Sequence, residues 1–280
     1  MPSTVGLLIW DVREAVERDG GEAPERGVVV IPTYNERENL DRLVREILRT
    51  QPDLDVLVVD DNSPDGTGDL ADALAIHEPR VAVMHRTRKD GLGSAYLAGF
   101  RRALTGSYDY VAQMDADFSH RVEDLPGLIA ALEHADVAIG SRNIPGGHTV
   151  ARSRVRRLVS AGGSAYARLL LGLPIRDTTG GFKCFRRQAL VDVQLDAVRS
   201  KGYAFQLEMN HMCHQAGLRL VEVPIVFPDR LAGQSKMTWR IFVEGWLVVI
   251  RLRLDAQFAR LRWHRRRSPL GAQVRQMMRP

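Results

Sequence analysis

Two aspartates two positions apart, Asp115 and Asp117, close an apolar run in "YDYVAQMDADFSH". Carboxylates at that spacing repel unless a cation or a shared proton offsets them. Mg²⁺ and Mn²⁺ bind through one or two carboxylates and complete their shell with substrate phosphates. The pair therefore suits a metal-bound diphosphate. A solvated acidic turn, with a helix cap at Ser119 or Asp124, accounts for the same residues equally well. A second acidic cluster, Asp60, Asp61 and Asp65, follows the apolar run "DVLVVD". Asp61, Ser63, Asp65 and Gly66 match the start of a calcium loop. Asp72 stands where that loop needs Glu, however, and an apolar strand precedes it instead of a helix. Carboxylates at a strand end can instead accept hydrogen bonds from a ribose or a base edge. Lys89 and the glycines of "RKDGLGSAYLAG" form a candidate phosphate cradle at a helix start, without the Walker order. No Ser-His-Asp set is evident. A site rich in Asp, Lys and Arg suits chemistry that needs positioning and charge stabilisation rather than a strong base. His120 is expected to bond the backbone beside the acidic pair, and His211 and His214 to be structural.

The elements that must position these residues alternate. "GVVVIP", "DVLVVD", "VAVMHR", "YDYVAQMD" and "DVAIGS" read as strands. Pro32 is expected to stop the first. Between them "ERENLDRLVREILRT" has helical spacing, with Leu40, Leu43, Val44, Ile47 and Leu48 on one face, and Asn35 or Glu36 can cap it. "TGDLADALAIH", "LGSAYLAGFRRALT" and "VEDLPGLIAALEHA" read as further helices. Such alternation predicts an α/β fold with a mainly parallel sheet covered on both faces, and ligands at the strands' carboxyl ends. In a strand, Asp115 and Asp117 would point to the same face. Beyond residue 150 come a basic amphipathic helix, "RSRVRRLVSAGGSAYARLLLG", and a Gly-rich turn into a short strand, "DTTGGFKCFRR". A helix closed by Gly217 follows, then a strand, "LRLVEVPIVF", and a long or broken helix from Ser235 onward. Residues 1–26 read as an N-terminal extension, 27–234 as the main domain, and 235–280 as an amphipathic helix with a basic tail.

At 280 residues, 45% hydrophobic and 26% charged, the chain has enough apolar sequence for one substantial core. Two cysteines exclude a disulfide framework. "VGLLIW" near the start is too short for a signal peptide, and no apolar run approaches a membrane span. The net charge of +5 is uneven, since the last thirty residues hold nine Arg against one Asp. Such a tail suits an anionic surface. RNA is disfavoured by the scarcity of interleaved aromatics and the lack of an RNA-binding signature.

As a set, "VVVIPTYNERENL", "VLVVDDNSPDGT", "MDADFSH", "GSR", "DTTGGFKCFRR", "KGYAFQLEM" and "DRLAGQSK" resemble inverting family-2 glycosyltransferases of GT-A (Rossmann-like) fold. Within these the chain is most similar to the dolichol-phosphate (polyprenol-phosphate) mannose synthases, in order from about residue 27 to about 245. The resemblance implies transfer of mannose from GDP-mannose to a polyprenyl phosphate in the bilayer. By the same resemblance Pro32, Tyr34, Glu36, Asp65, Lys89, Asp115 and Ala116 would line the nucleotide pocket, with Asp60 or Asp61 reading base or ribose. Asp115, Asp117 and Ser119 would hold Mg²⁺ or Mn²⁺, although some members have Gln where this chain has Ser119. Arg142 and Arg156 would face the acceptor phosphate, and Arg230 and Lys236 would close over the diphosphates. Asp117, Arg142 and Arg156 are the expected catalytic residues. The enzyme would sit peripherally on the cytoplasmic face of a membrane, with interfacial docking from about residue 247 onward, alone or beside a separate membrane subunit, and with no nucleic-acid partner. Two readings compete: a transferase using another donor such as UDP-glucose, and a non-catalytic nucleotide-sugar-binding protein.

Overall fold

A computed structural model describes residues 25–150, 154–202, 204–228, 245–255 and 257, with only the backbone at 154–161. The first strands, β1 (Gly27–Thr33), β2 (Leu54–Asp60) and β3 (Val81–His85), alternate with α1 (Arg37–Thr50), α2 (Thr67–His77) and α3 (Leu92–Leu104). Then come β4 (Tyr110–Gln113), α4 (Leu125–Ala130), β5 (Val137–Ser141), β6 (His148–Thr149) and α5 (Arg154–Leu171). β7 (Lys183–Arg186), α6 (Arg187–Asp192), α7 (Ala204–Gln215), β8 (Leu220–Pro224) and β9 (Val226–Phe227) follow. The main sheet has the order β3-β2-β1-β4-β7-β5-β8, and β6 pairs with β9 in a small second sheet. All main-sheet pairings are parallel except those of β7, which runs antiparallel to both β4 and β5.

β1, β2, β4 and β5 are buried along their whole length, which is why their sequences read as unbroken apolar runs. Side chains alternate between two apolar layers. Val28 and Val30 pack with Tyr96 and Phe100 of α3 and Phe205 of α7. Val29 and Ile31 pack with the predicted face of α1: Leu40, Leu43, Val44, Ile47 and Leu48. The mainly parallel, two-layered sheet is as expected.

Several expectations need correction. Pro32 does not end β1; it lies inside the strand, in register with Val59. Val30 accepts a hydrogen bond from Met114 on the β4 side. Pro32 has the same parity, so its missing N–H falls beyond Gln113, where β4 has already ended. Because β4 ends there, Asp115 and Asp117 are in a loop, and strand alternation does not bring them together. The helix expected at 122–135 is broken into 3₁₀ turns around the short α4, which carries Pro126 in its first turn. The strand expected at 218–227 divides at Ile225 between two sheets. α6 was not foreseen.

The extension, apart from Glu25 and Arg26, and the stretch 229–244 lie outside the described residues, as does nearly all of the basic tail. Residues 245–255 are helical, and Val248, Val249 and Leu252 are buried with α5 and α7. This segment therefore packs onto the core with one face. Trp246, Leu247, Ile250 and Leu254 are exposed on it. Among the described residues no helix is long and apolar enough to cross a membrane.

Candidate active site

The sheet order reverses between β1 and β4, since β2 and β3 lie on one side of β1 and β4 on the other. Crevices at the carboxyl ends of strands flanking such a reversal bind ligands in open α/β sheets. All three predicted strand-end clusters gather there. Asn35, Asn62 and Phe118, each just past one of these strands, have φ of 61°, 58° and 58°. Non-glycine residues in that region carry strain, which concentrates here along one rim.

On the β1–β2 side, Asp60 is fully committed to the loop. It accepts from the Thr33 hydroxyl at 2.9 Å and from the hydroxyl and amide of Ser63 at 2.6 and 3.0 Å. Asp61 is paired with Arg86. Burial pushes the Asp61 carboxyl up, and Arg86 offsets this only partly. Asp65 accepts from the Thr67 hydroxyl at 2.6 Å, the Thr67 amide at 3.0 Å and the Arg37 amide at 3.3 Å. Burial is the largest single influence and acts against it, but the hydrogen bonds together hold its carboxyl below the usual range. Asp65 thus ties the starts of α1 and α2 together. Thr67 also accepts from the Glu36 amide at 3.0 Å. Tyr34 and Lys89 meet directly, the ammonium lying 3.6 Å from the ring centroid. That contact joins two of the predicted nucleotide-pocket residues across the mouth of the crevice.

The expected phosphate cradle at Gly91–Gly93 is occupied by protein. The Gly93 amide donates to the Lys201 carbonyl at 2.7 Å, so one donor of the α3 N-terminus is already used. A Cβ on Gly91 would fall 2.4 Å from that same carbonyl oxygen. These glycines admit the 200–201 backbone rather than a phosphate.

On the β4 side, Asp115 Oδ1 accepts from the Tyr96 hydroxyl at 2.6 Å, and the Asp115 amide donates to His120 Nδ1 at 3.0 Å. His120 therefore does bond the backbone there, stacked on Phe182 at 4.8 Å. Tyr96 is wholly buried; burial, then the Asp115 charge, raises its pKa well above the ordinary value. Asp117 Oδ1 accepts from the Ser119 amide at 3.1 Å. Ser119 is buried and touches the loop through its backbone. Ala116 is buried between the two carboxylates. Among the described residues no group of three His, Cys, Asp or Glu side chains could enclose a metal. Two carboxylates at a loop edge do fit a hard cation that takes its remaining ligands from water and phosphate.

Arg142 is held differently from the expectation. Its Nε and Nη2 donate to Asp177 at 2.7 and 2.8 Å, and Nη2 also reaches the Thr179 hydroxyl at 3.1 Å. The guanidinium lies 5.0 Å from the Phe227 ring centroid. A phosphate facing Arg142 would have to share it with a buried carboxylate. For Arg156, within α5, the side chain lies outside the described residues, as do Arg230 and Lys236.

The sequence reading missed Lys183, fully buried at the start of β7 opposite Gln113. Its ammonium donates to Gln206 Oε1 at 2.7 Å and to the Gln206 carbonyl at 3.2 Å. Burial pushes its pKa down to about 7, with Cys213, Asp177 and Asp115 pulling weakly the other way. A lysine flanked by Phe182 and Cys184 in a sheet strand was the available signal. At Lys183 the unfolded chain holds a proton that the native one lacks between pH 7 and about 10. Its contribution to stability should therefore rise with pH across that window, by roughly 1.4 kcal/mol per unit, and be flat below it, while the buried Cys184 and Cys213 thiols, pushed up by burial, oppose it above about pH 8.5. Lys183→Met should remove that slope. Urea unfolding in EDTA at pH 6.5, 7.5, 8.5 and 9.5 checks it, and parallel curves for the two proteins would refute the assignment.

The profile of Glycosyl transferase family 2 matches residues 28–193. The chain belongs to this glycosyltransferase family. It is 47% identical to the undecaprenyl-phosphate mannosyltransferase of Micrococcus luteus, over 88% of this chain and 99% of that one. It is 48% identical to the polyprenol monophosphomannose synthase of Mycolicibacterium smegmatis, over 85% and 95% of the two chains. Among solved structures, it is similar to glucosyl-3-phosphoglycerate synthase from Mycobacterium tuberculosis in complex with Mn²⁺, UDP and glucosyl-3-phosphoglycerate. The TM-score is 0.61 at 20% identity, covering 88% of this chain and 84% of that one. The mannosyltransferase PcManGT of Pyrobaculum calidifontis, in complex with GDP-Man and Mn²⁺, gives 0.54 at 18%, covering 86% and 70%. The family-2 glycosyltransferase described here has the GT-A fold.

Proposed function

We propose that this glycosyltransferase moves mannose from GDP-mannose to a polyprenyl phosphate, giving polyprenyl-phosphate-mannose and GDP with inversion. The observation that carries the reading is its near-full-length likeness to two relatives whose names specify mannose and a polyprenyl acceptor. The site chemistry agrees. A phosphate acceptor is already anionic near neutral pH, so the nucleophile needs positioning rather than a strong base. A divalent cation, Mg²⁺ or Mn²⁺, held by Asp115 and Asp117 would neutralise charge on the departing diphosphate. Tyr34 and Lys89 flank the nucleotide, and Asp61 with Arg86 borders its base or ribose. By the resemblance to the family's motifs, Arg156 is assigned to the acceptor phosphate, and Arg230 and Lys236 to the diphosphates. Arg142 shapes the acceptor side through Asp177.

The acceptor's chain stays in a bilayer, and the structure offers a face for it. Tyr166 of α5 stacks on Trp246 at 4.8 Å, joining two helices whose outer residues include exposed Leu169, Leu247, Ile250 and Leu254. Arg168 and Arg253 are exposed on the same two helices. Apolar residues bordered by arginine suit peripheral docking on an anionic surface, here the cytoplasmic face of a membrane.

The test is transfer of radiolabelled sugar to polyprenyl phosphate from GDP-mannose, UDP-glucose and UDP-GlcNAc, each with Mn²⁺ and with EDTA. Metal-dependent label in the lipid from GDP-mannose alone is expected. Label from a UDP-sugar would overturn the donor, and no transfer from any donor, with folded protein and intact lipid, would overturn the reaction.

A further inference from the structure

The motif "KGYAFQLEM" contributes Lys201 and Glu208, which have no part in the chemistry above. They lie in a chain of contacts that begins on the C-terminal helical stretch and ends beside the nucleotide. Arg251 Nη2 donates to Glu208 Oε1 at 2.9 Å and to the Ser200 hydroxyl at 3.3 Å. The Glu208 side chain is 4% exposed, and its Oε2 accepts from the Ser200 amide at 2.7 Å. Lys201, the next residue, reaches Asp90 through its ammonium at 2.8 and 3.0 Å, and its carbonyl accepts from Gly93. The Asp90 backbone also acts on the Asp61 carboxyl, favouring its charged form. Lys89, over the Tyr34 ring, is the residue before Asp90.

The contacts are spread over more than 160 residues of sequence, yet they converge on one short loop, 86–91, and the first turn of α3. That loop has few apolar anchors of its own: Lys89 is exposed, and Asp90 and Gly91 are half-buried. Gly91 and Gly93 lack side chains where the 200–201 backbone passes, since a Cβ on Gly93 would lie 2.8 Å from the Ser200 carbonyl oxygen. A buried carboxylate with two charge-assisted or amide partners is a strong fixed point, and the rest of the loop hangs from it.

We infer that Glu208 and Arg251 are positioning residues for the nucleotide-side loop, coupling it to the helical stretch 245–255 that carries exposed Trp246, Leu247 and Ile250. The inference rests on the donor-site reading above only for which ligand the loop serves. Because the loop borders the nucleotide and not the acceptor, loosening it weakens donor binding and leaves the rate of the bound complex nearly intact.

The test compares the full chain with Arg251→Met, Glu208→Gln and Arg251→Lys. Amide exchange is followed by mass spectrometry over peptides covering 86–96 and, as a control, β1 and β2. Affinity for GDP and for UDP is measured by calorimetry with Mn²⁺. Arg251→Met and Glu208→Gln are expected to speed exchange of 86–96 at least tenfold, with the control peptides unchanged. The affinity of the nucleotide that the wild type binds should fall about fivefold, as a KM increase with kcat within twofold. Arg251→Lys should restore most of both. Unchanged exchange and affinity, or acceleration spread equally over the control strands, would overturn the coupling. A wild type that binds UDP and not GDP would instead overturn the donor, with the exchange data still deciding the coupling.

Discussion

Asp117→Asn is expected to lower sugar transfer by about 10²–10³-fold while leaving the fold intact. The substitution keeps the shape of the side chain, and an amide oxygen can still accept from the Ser119 amide, which lies 3.1 Å from Oδ1. What is lost is half the negative charge of the proposed two-carboxylate cation site. Such a site depends on charge because only two protein groups contribute to it. Asp115→Asn should cost as much activity and, in addition, some stability. Its carboxylate receives the buried Tyr96 hydroxyl at 2.6 Å, and hydrogen bonds to charged groups contribute about 1.5–3 kcal/mol. The pair of variants therefore separates charge from scaffold. Initial rates against Mn²⁺ concentration, with thermal unfolding in EDTA, provide the comparison. An Asp117→Asn protein that keeps more than a tenth of the wild-type rate at saturating Mn²⁺ would remove Asp117 from the cation site.

What the sequence made legible and what it did not divide along a physical line. β1, α1 and β2 were readable because each is specified by its own periodicity and each buries the face its pattern marks. The acidic strand ends were readable too, since a parallel sheet places successive carboxyl ends on one edge. The contacts that tie the site together were not. Lys89 and Tyr34 were both expected at the nucleotide, but nothing local brings ring and ammonium together. Gly91 and Gly93 looked like a phosphate cradle because the signal for close backbone approach does not say what approaches. The occupant, Lys201, is over a hundred residues away. Arg142 was expected to face a phosphate from the family resemblance that "GSR" helps carry, whereas its partner Asp177 comes from a segment that enters the sheet antiparallel between β4 and β5. That inserted strand also explains why Lys183 was missed. Its burial follows from a topology that no periodicity encodes.

Asp177 is where that topology carries the most energy. Its side chain is 0% exposed and that of Arg142 10%, and two hydrogen bonds of 2.7 and 2.8 Å join them. The Asp177 and Arg176 amides donate to Glu222 on β8 at 2.8 Å each, which fixes the turn before Gly180 and Gly181. Burial works against both charges, yet each stabilises the other: the carboxyl is held below its usual range, the guanidinium above. Asp177→Ala leaves a nearly buried guanidinium unpaired and should cost about 3–5 kcal/mol. Asp177→Leu combined with Arg142→Met removes both charges and should recover most of that loss, because apolar replacements of buried pairs are often neutral. Because the Asp177 carboxyl is depressed in the native state, its contribution is present above the unfolded pKa near 4 and is lost as pH falls through the native value. Urea unfolding at pH 7 of wild type, single and double variants closes the cycle, and a cost below about 1 kcal/mol for Asp177→Ala would sink the buried-pair account. Transfer assays on the double variant then separate scaffold from function. A side chain at Gly181 would start 3.6 Å from Asp115 Oδ2, so the turn that Asp177 fixes borders the Asp115 carboxylate directly. If the pair also shapes the acceptor side, the double variant will be stable and slow.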